Sequence, residues 1–152
     1  MNMKLYNFFR SGTSHRTRIA MNLKGLEYEY VAVALGKEEH LQAAFQAVNP
    51  QGLVPALVLD DKTTLIQSPA IIEWLEEVFP QNPLLPTEPL ARAHVRAMAA
   101  IVGCDIHPLN NRRILQYLRG ELQQSEEEVL KWCARWISAG FAALEELLAA
   151  DT

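Results

Sequence analysis

Hydrophobic residues in the first half of the chain fall into short runs separated by stretches with helical spacing. The runs are rich in aromatic and β-branched residues, which favours strands. Four strands are predicted in this way, at residues 3–9, 28–33, 53–59 and 63–66. Helical patterns lie at residues 14–25, 41–47 and 70–79. The order βαβαββα predicts a small three-layer α/β domain, because a strand, a crossing helix and a second strand form a right-handed parallel unit.

The third helix has a clear start at Gln67-Ser68-Pro69. Ser68 suits the N-cap position, and Pro69 has the fixed φ that is favoured at the first helical position. We expect an apolar stripe on this helix to face the core and three glutamates to face solvent. The stripe comprises Ile71, Ile72, Leu75 and Phe79, and the glutamates are Glu73, Glu76 and Glu77.

The second half of the chain begins after a proline-rich segment and carries helical patterns alone. Four of the eight prolines lie between residues 80 and 89, which indicates an interdomain linker. Long helices are predicted from Leu90 to about Arg119 and from about Ser125 to Ala150. Pro108 removes a backbone hydrogen bond from the first of them and predicts a kink there. The predicted organisation is a first domain at residues 1–81, a linker at 82–89 and a partial all-helical domain at 90–152.

The last predicted helix is apolar over much of its surface. Its apolar residues include Val129, Leu130, Trp132, Trp136, Ile137, Phe141, Leu144, Leu147 and Leu148. A pair of helices cannot cover so many side chains, and burying each one fully is worth about 1.5–3 kcal/mol. We therefore expect a partner or a further part of the chain to cover this helix.

The composition is that of a globular domain, with 49% hydrophobic and 21% charged residues. A net charge of -4 argues against general nucleic-acid binding. No run approaches the roughly 18 apolar residues of a membrane span, and the N-terminus lacks a signal-peptide pattern, so we expect no membrane association. The two cysteines, Cys104 and Cys133, match no metal-binding spacing and are expected to be buried or partly buried free thiols in a reducing cytosol.

The join between the first strand and the first helix carries the most chemistry. Ser11, Thr13 and Ser14 are small hydroxyl residues of the kind that begin helices. A helix N-terminus presents free N–H groups and the positive end of the helix dipole. Three arginines and a histidine within nine residues add positive charge. This stretch therefore predicts an anion site, and a thiolate is one candidate anion.

Three separated motifs together resemble the zeta class of glutathione transferases, which includes maleylacetoacetate isomerases and bacterial maleylpyruvate isomerases. The first is Arg10-Ser11-x-Thr13-Ser14-x-Arg16-x-Arg18 after a strand, the second is Asn49-Pro50-x-x-x-Val54-Pro55, and the third is Gln67-Ser68 at a helix start. The segment from Asp105 to Arg113 is most similar to the maleylpyruvate branch. The resemblance implies a thioredoxin-like first domain. It also implies that this chain has only part of the helical domain of its relatives, which continues through further helices.

The resemblance implies that glutathione binds to the first domain. Val54, before a cis Pro55, is expected to offer its backbone to the cysteinyl part. Gln67 and Ser68 are expected to hold the γ-glutamyl carboxylate at a helix N-terminus. His40 is expected to reach the glycyl end.

Ser11 is the residue whose hydroxyl faces the sulfur in such proteins. Thr13 is expected to be a second catalytic donor to the thiolate, and Arg10 to be catalytic and to face the substrate. Family members commonly have Ser-Ser-Cys after the arginine, whereas this chain has Ser11-Gly12-Thr13. The missing cysteine excludes redox chemistry at this position. A thiol pKa of about 8.5 falls by one unit for each 1.36 kcal/mol or so of preferential thiolate stabilisation.

The activity implied is cis–trans isomerisation of a maleyl keto-acid in aromatic-compound catabolism. Arg10, Arg112 and Arg113 are candidate anchors for the substrate carboxylates, since arginine binds them in a planar, bidentate manner. His107 is a candidate for orienting the substrate or moving a proton. The resemblance further implies a homodimer in which Asn110 reaches glutathione in the other subunit. Alternative functions are a general glutathione transferase and a non-catalytic glutathione-binding module.

Overall fold

The computed structural model describes residues 2–150, with the backbone alone for Ala150. The chain divides into two compact units, Met1–Leu85 and Pro86–Thr152. This division falls inside the proline-rich segment at residues 82–89, while the domain boundaries given above remain predictions.

The first unit has the predicted βαβαββα order, which confirms the expected fold class. Its elements are β1 (Lys4–Asn7), α1 (Gly12–Leu23), β2 (Glu29–Ala32), α2 (Ala43–Gln46), β3 (Ala56–Val58), β4 (Thr64–Ile66) and α3 (Ser68–Val78). The sheet order is β2-β1-β3-β4. β1 and β2 are parallel, and the other two pairings are antiparallel. Short 3-10 turns at Leu35–Lys37 and Glu39–Leu41 precede α2.

The core of this unit lies between the sheet and the pair α1 and α3. Its main side chains are fully buried and come from two strands and two helices: Leu5, Met21, Leu57, Ile71 and Leu75. Side chains alternate along a strand, so Tyr6 points to the opposite face and packs against Phe45 of α2, with ring centroids 6.1 Å apart. The unit is therefore three-layered, as the alternating pattern predicts.

One predicted surface residue is instead buried and paired. Glu76 was expected to face solvent, but its side chain is 7% exposed and lies 2.6 Å from Nζ of Lys24, which is completely buried. The N–H groups of Leu84 and Leu85 also donate to the Glu76 carboxylate, and Lys24 donates to the Phe79 carbonyl at 2.8 Å. Helical periodicity places polar residues outside, and it cannot indicate that a cation on another helix will compensate a buried carboxylate.

In the described part of the second unit, up to residue 150, there are three helices where two were expected. They are α4 (Pro89–Ala100), α5 (Arg112–Gly120) and α6 (Glu126–Ala150), and a π-helical segment, Ile101–Ile106, extends α4. The predicted single helix from Leu90 to Arg119 is thus wrong. The chain leaves the helix around Pro108, which has no N–H to continue it, and the side chain of Asn111 caps α5 by accepting from Arg113 N at 3.1 Å.

Helix α6 packs on the π-helical segment through a glycine. A methyl group at Gly140 would collide with the side chain of Ile106, so the absence of a Cβ allows close approach. Trp132 packs edge-on against Trp136 and donates its indole N–H to the Leu109 carbonyl at 2.8 Å. Within α6, large apolar side chains remain exposed at Leu130, Ile137, Phe141, Leu147 and Leu148. No helix described between residues 2 and 150 combines the length and the apolar character needed to cross a membrane.

Replacing Lys24 by methionine removes the cation beside a carboxylate that stays buried. We expect Lys24→Met to lower the free energy of unfolding by about 3–5 kcal/mol in urea denaturation at neutral pH. Lys4→Met is the matched control, because the Lys4–Glu29 pair is exposed and is expected to contribute much less. Equal losses in the two variants would contradict the assigned role of the buried pair.

The same pair predicts a specific loss of stability in acid. Desolvation acts to raise the pKa of Glu76, but hydrogen bonds from Lys24 and from the Leu84 and Leu85 N–H groups outweigh it, so the pKa lies below its ordinary value of 4.5. A group with a lowered folded-state pKa stabilises the fold above its unfolded pKa and ceases to do so as the pH falls through the folded value. Urea titrations below pH 4.5 are expected to show this loss in the wild type and not in Glu76→Gln.

Candidate functional site

A chain of hydroxyl groups begins at the N-terminus of α1. Ser11 is the N-cap, and its Oγ accepts from the Ser14 N–H at 3.2 Å, as a helix-capping side chain does. The same Oγ lies 2.8 Å from Oγ1 of Thr13. Thr13 Oγ1 in turn donates to the carbonyl of Val54 at 2.9 Å. These bonds connect the start of the first helix to a segment 41 residues away in the sequence.

Val54 lies at the edge of this network, just before β3. The Val54–Pro55 peptide bond is cis, as the family resemblance implies, and Pro55 is buried. Val54 lies just outside the strand, and its carbonyl oxygen has a second lone pair beyond the one used by Thr13. The backbone at Val54 is therefore suited to bind an extended peptide.

The turn before Val54 is held by a buried amide. Asn49 is 1% exposed, donates from Nδ2 to the Leu53 carbonyl at 2.6 Å and accepts from the Gln51 N–H at 3.0 Å. Gly52 has a φ of +63°, and a Cβ there would lie 3.0 Å from the His40 carbonyl oxygen. The Asn-Pro motif thus has a structural role, and it brings the backbone of the half-buried His40 next to the turn.

The N-terminus of α3 contains an unpaired buried hydroxyl. Ser68 is 2% exposed, and its Oγ has no hydrogen-bond partner among the residues that the structure describes. Gln67, with a φ of +68°, precedes the helix, so Ser68 is its first residue and the predicted N-cap assignment of Ser68 is wrong by one position. Because Ser68 Oγ is not used to cap the helix, it can donate to an anion at a site where the helix N–H groups and dipole also favour one.

Gln51 is a residue near this helix start that the sequence reasoning missed. Nε2 of Gln67 donates to Oε1 of Gln51 at 2.7 Å. A polar residue in a turn carries no signal that it will meet another side chain 16 positions away, so the sequence alone could not identify the pair.

The arginines of the first motif have different surroundings. Arg18 donates to the buried Asn7 side chain at 2.9 Å and to the Phe9 carbonyl at 3.2 Å, and its guanidinium lies over the Tyr30 ring. Arg18 therefore stabilises the connection between β1 and α1. Arg10 is exposed on that connection, beside the N-cap residue Ser11.

The remaining predicted residues lie together in the second unit, between the π-helical segment and the first turn of α5. His107 Nε2 and Asn111 Nδ2 are 3.5 Å apart. Asn110 donates to the Ile106 carbonyl at 2.9 Å, while its buried Oδ1 has no partner in the described part of the chain. Arg112 and Arg113 are exposed at the start of α5. Across residues 2–150, no group of three His, Cys, Asp or Glu side chains is placed to hold a metal ion.

The first unit is a thioredoxin-like domain with hydroxyl side chains at the starts of two helices. Comparison with known families indicates the same class of domain. Residues 10–78 match the family model of the glutathione S-transferase N-terminal domain. The chain is 66% identical over 149 residues to a maleylpyruvate isomerase from Ralstonia sp, covering 98% of this chain and 70% of that protein. The chain belongs to the glutathione S-transferase family, in its zeta class.

Solved structures agree with this assignment. The holo structure of a maleylpyruvate isomerase described as a bacterial zeta-class glutathione S-transferase has a TM-score of 0.94 and 65% identity, covering 97% of this chain and 69% of that one. A maleylacetoacetate isomerase from Anaeromyxobacter dehalogenans 2CP-1 has dicarboxyethyl glutathione and citrate bound in its active site. Its TM-score is 0.84 at 40% identity, covering 98% of this chain and 68% of that one.

Removing the Asn49 amide tests whether it holds the turn that presents Val54. Asn49→Ala loses both hydrogen bonds and leaves the Leu53 carbonyl without its donor, so we expect a loss of about 1–3 kcal/mol in the free energy of unfolding. Chemical denaturation measures this loss. Pro50→Ala, at the exposed neighbouring position, serves as the control and is expected to change stability much less. A denaturation midpoint for Asn49→Ala equal to that of the wild type would contradict the role of Asn49 in holding this turn.

Proposed function

We propose that this chain carries out glutathione-dependent cis–trans isomerisation of a maleyl keto-acid, maleylpyruvate or maleylacetoacetate, to the fumaryl product. The observation that carries the proposal is the 66% identity to a maleylpyruvate isomerase across 98% of the chain. The segment from His107 to Arg113, which lies outside the family model at residues 10–78, is within that similarity.

The first unit fits glutathione at three positions. The unpaired hydroxyl of Ser68 and the N–H groups at the start of α3 are donors for the γ-glutamyl carboxylate, and Gln67 lies beside them. The backbone of Val54 is suited to the cysteinyl amide. His40, whose carbonyl is close to Gly52, is proposed to reach the glycyl end. An unpaired buried hydroxyl costs free energy in the free protein, so a ligand that accepts its hydrogen bond is bound more favourably.

Ser11 is the proposed catalytic residue of the first unit. When bound, glutathione would supply a thiolate. This thiolate adds reversibly to the activated cis double bond and is regenerated, so glutathione is not consumed. Ser11 donates a hydrogen bond that favours the thiolate over the thiol. The N-terminus of α1 and the exposed Arg10 contribute in the same direction through their positive charge.

The substrate has two carboxylates, and arginines are proposed to bind them. Arg10 belongs to the first unit, and Arg112 and Arg113 belong to the second. Guanidinium groups bind carboxylates with two parallel hydrogen bonds and stay charged at any working pH. His107 is proposed to orient the substrate or to move a proton.

We further propose a homodimer that functions in the cytosol without nucleic-acid or membrane partners. Asn110 has a buried Oδ1 that no described residue satisfies, which supports a role in contacting glutathione bound to the other subunit. Cys104 and Cys133 are both free thiols, which suits a reducing compartment, although Cys104 is exposed and not buried as expected.

An absorbance assay with a maleyl keto-acid and a small amount of glutathione tests the proposal. We expect many turnovers per glutathione, and we expect Ser11→Ala to lower kcat/KM at least about tenfold, because the thiol loses a donor that favours its ionised form. Ser138→Ala, an exposed substitution on α6, is the control and is expected to retain wild-type activity.

The fate of glutathione separates this activity from general conjugation. Loss of free thiol in step with product formation, measured with a thiol reagent, would instead assign a general glutathione transferase. Glutathione binding by calorimetry without any turnover would assign a non-catalytic binding module and contradict the isomerase proposal.

A further inference from the structure

Each proton in the hydroxyl chain at the start of α1 has a definite direction. A carbonyl oxygen only accepts, so Thr13 Oγ1 donates its single proton to Val54. Thr13 Oγ1 is then the acceptor in its 2.8 Å contact with Ser11 Oγ, and Ser11 is the donor. The Ser14 N–H donates to Ser11. All donors are directed toward Val54, and Ser11 has no proton available for a sulfur atom.

Ser11 can donate outward only if this chain of hydrogen bonds reverses. If the Ser11 proton turned away while Thr13 still donated to Val54, two oxygens 2.8 Å apart would face each other with no proton between them. This arrangement is repulsive, so Thr13 must turn its own proton toward Ser11. The carbonyl of Val54 then loses its donor, and an unpaired carbonyl in a partly buried site is unfavourable.

We propose that Thr13 is a positioning residue that couples peptide binding at Val54 to hydrogen-bond donation by Ser11. The inference rests on the proposed function, because the peptide is glutathione. When the Val54 carbonyl accepts an amide N–H from the tripeptide, the Thr13 proton is free to turn to Ser11. Ser11 then accepts from both Ser14 and Thr13 and donates to the sulfur, and the two incoming hydrogen bonds polarise its hydroxyl. Every proton stays on its own oxygen, so the change consists of two rotations about C–O bonds.

The hydroxyl groups of Ser14 and Thr17 do not take part in this series of hydrogen bonds. Ser14 Oγ accepts from the Phe8 N–H at 3.4 Å, and Thr17 Oγ1 donates to the Thr13 carbonyl at 3.1 Å. Thr13 is thus the hydroxyl that contacts both Ser11 and Val54. Thr17, which is buried on the same helix, provides a matched Thr→Val control.

The test measures the pKa of bound glutathione by ultraviolet difference absorbance of the thiolate, together with calorimetric affinity for S-methylglutathione. We expect Thr13→Val to raise the bound thiol pKa by about one unit, because Ser11 loses the hydrogen bond from Thr13 that polarises its hydroxyl. A shift of one unit lowers the ratio of thiolate to thiol tenfold at a given pH. Thr13→Ser is expected to restore the wild-type pKa, and Thr17→Val to leave it unchanged. S-methylglutathione has no thiolate to accept from Ser11, and in Thr13→Val no hydroxyl occupies the Val54 carbonyl. Thr13→Val is therefore expected to bind S-methylglutathione at least as tightly as the wild type.

A double variant shows whether Thr13 acts through Ser11. If it does, Ser11→Ala/Thr13→Val has the same bound-thiol pKa as Ser11→Ala. Additive shifts, or a wild-type pKa in both Thr13→Val and the more conservative deletion Thr13→Ala, would overturn the coupling while leaving the proposed function intact. No change of pKa in Ser11→Ala, or no binding of glutathione to the wild type, would overturn the proposed function itself.

Discussion

The hydrogen bond from Thr13 to the carbonyl of Val54 is the contact on which the candidate site depends. It connects the first turn of α1 to the segment that enters β3, and it gives a direction to the protons of both Thr13 and Ser11. Ser11 therefore has two roles: its oxygen caps helix α1, and its proton is held in the hydrogen bond to Thr13. Under the proposed coupling, Ser11 donates to a ligand only after binding at Val54 has released its proton. A serine without these hydrogen bonds would show no such dependence.

A buried ion pair joins the opposite ends of the two helices that begin at the candidate site. Lys24 follows the last turn of α1, and Glu76 lies near the end of α3, so the pair joins the C-terminal ends of two helices whose N-terminal ends carry the Ser11 and Ser68 hydroxyls. The Glu76 carboxylate also binds the backbone at Leu84 and Leu85, where the first unit ends. A buried pair of this kind is costly to desolvate, and removing one partner would leave an uncompensated buried charge.

The errors made from the sequence have one physical origin, which is that a local pattern does not show what lies beside it. Glu76 looks like a surface residue until Lys24 is seen next to it, and Gln51 looks like an ordinary turn residue until Gln67 is seen. Pro108 was expected to bend a helix. The chain instead leaves the helix there, because Pro108 has no N–H to continue it, and the Asn111 side chain caps a new helix.

The alternation of apolar runs, the helix-start hydroxyls and the three separated motifs were sufficient to determine the βαβαββα order and the zeta-class family. These features are local, since propensity, capping and motif spacing depend on neighbours in the sequence. Only the tertiary structure decided which hydroxyl contacts which carbonyl, because Thr13 and Val54 meet through the packing of α1 beside the sheet. The join between β1 and α1 was predicted to be an anion site from its hydroxyls, its charge and the helix dipole. Its ability to switch proton direction depends on a carbonyl 41 residues away, and long-range contacts of that kind are set by the fold.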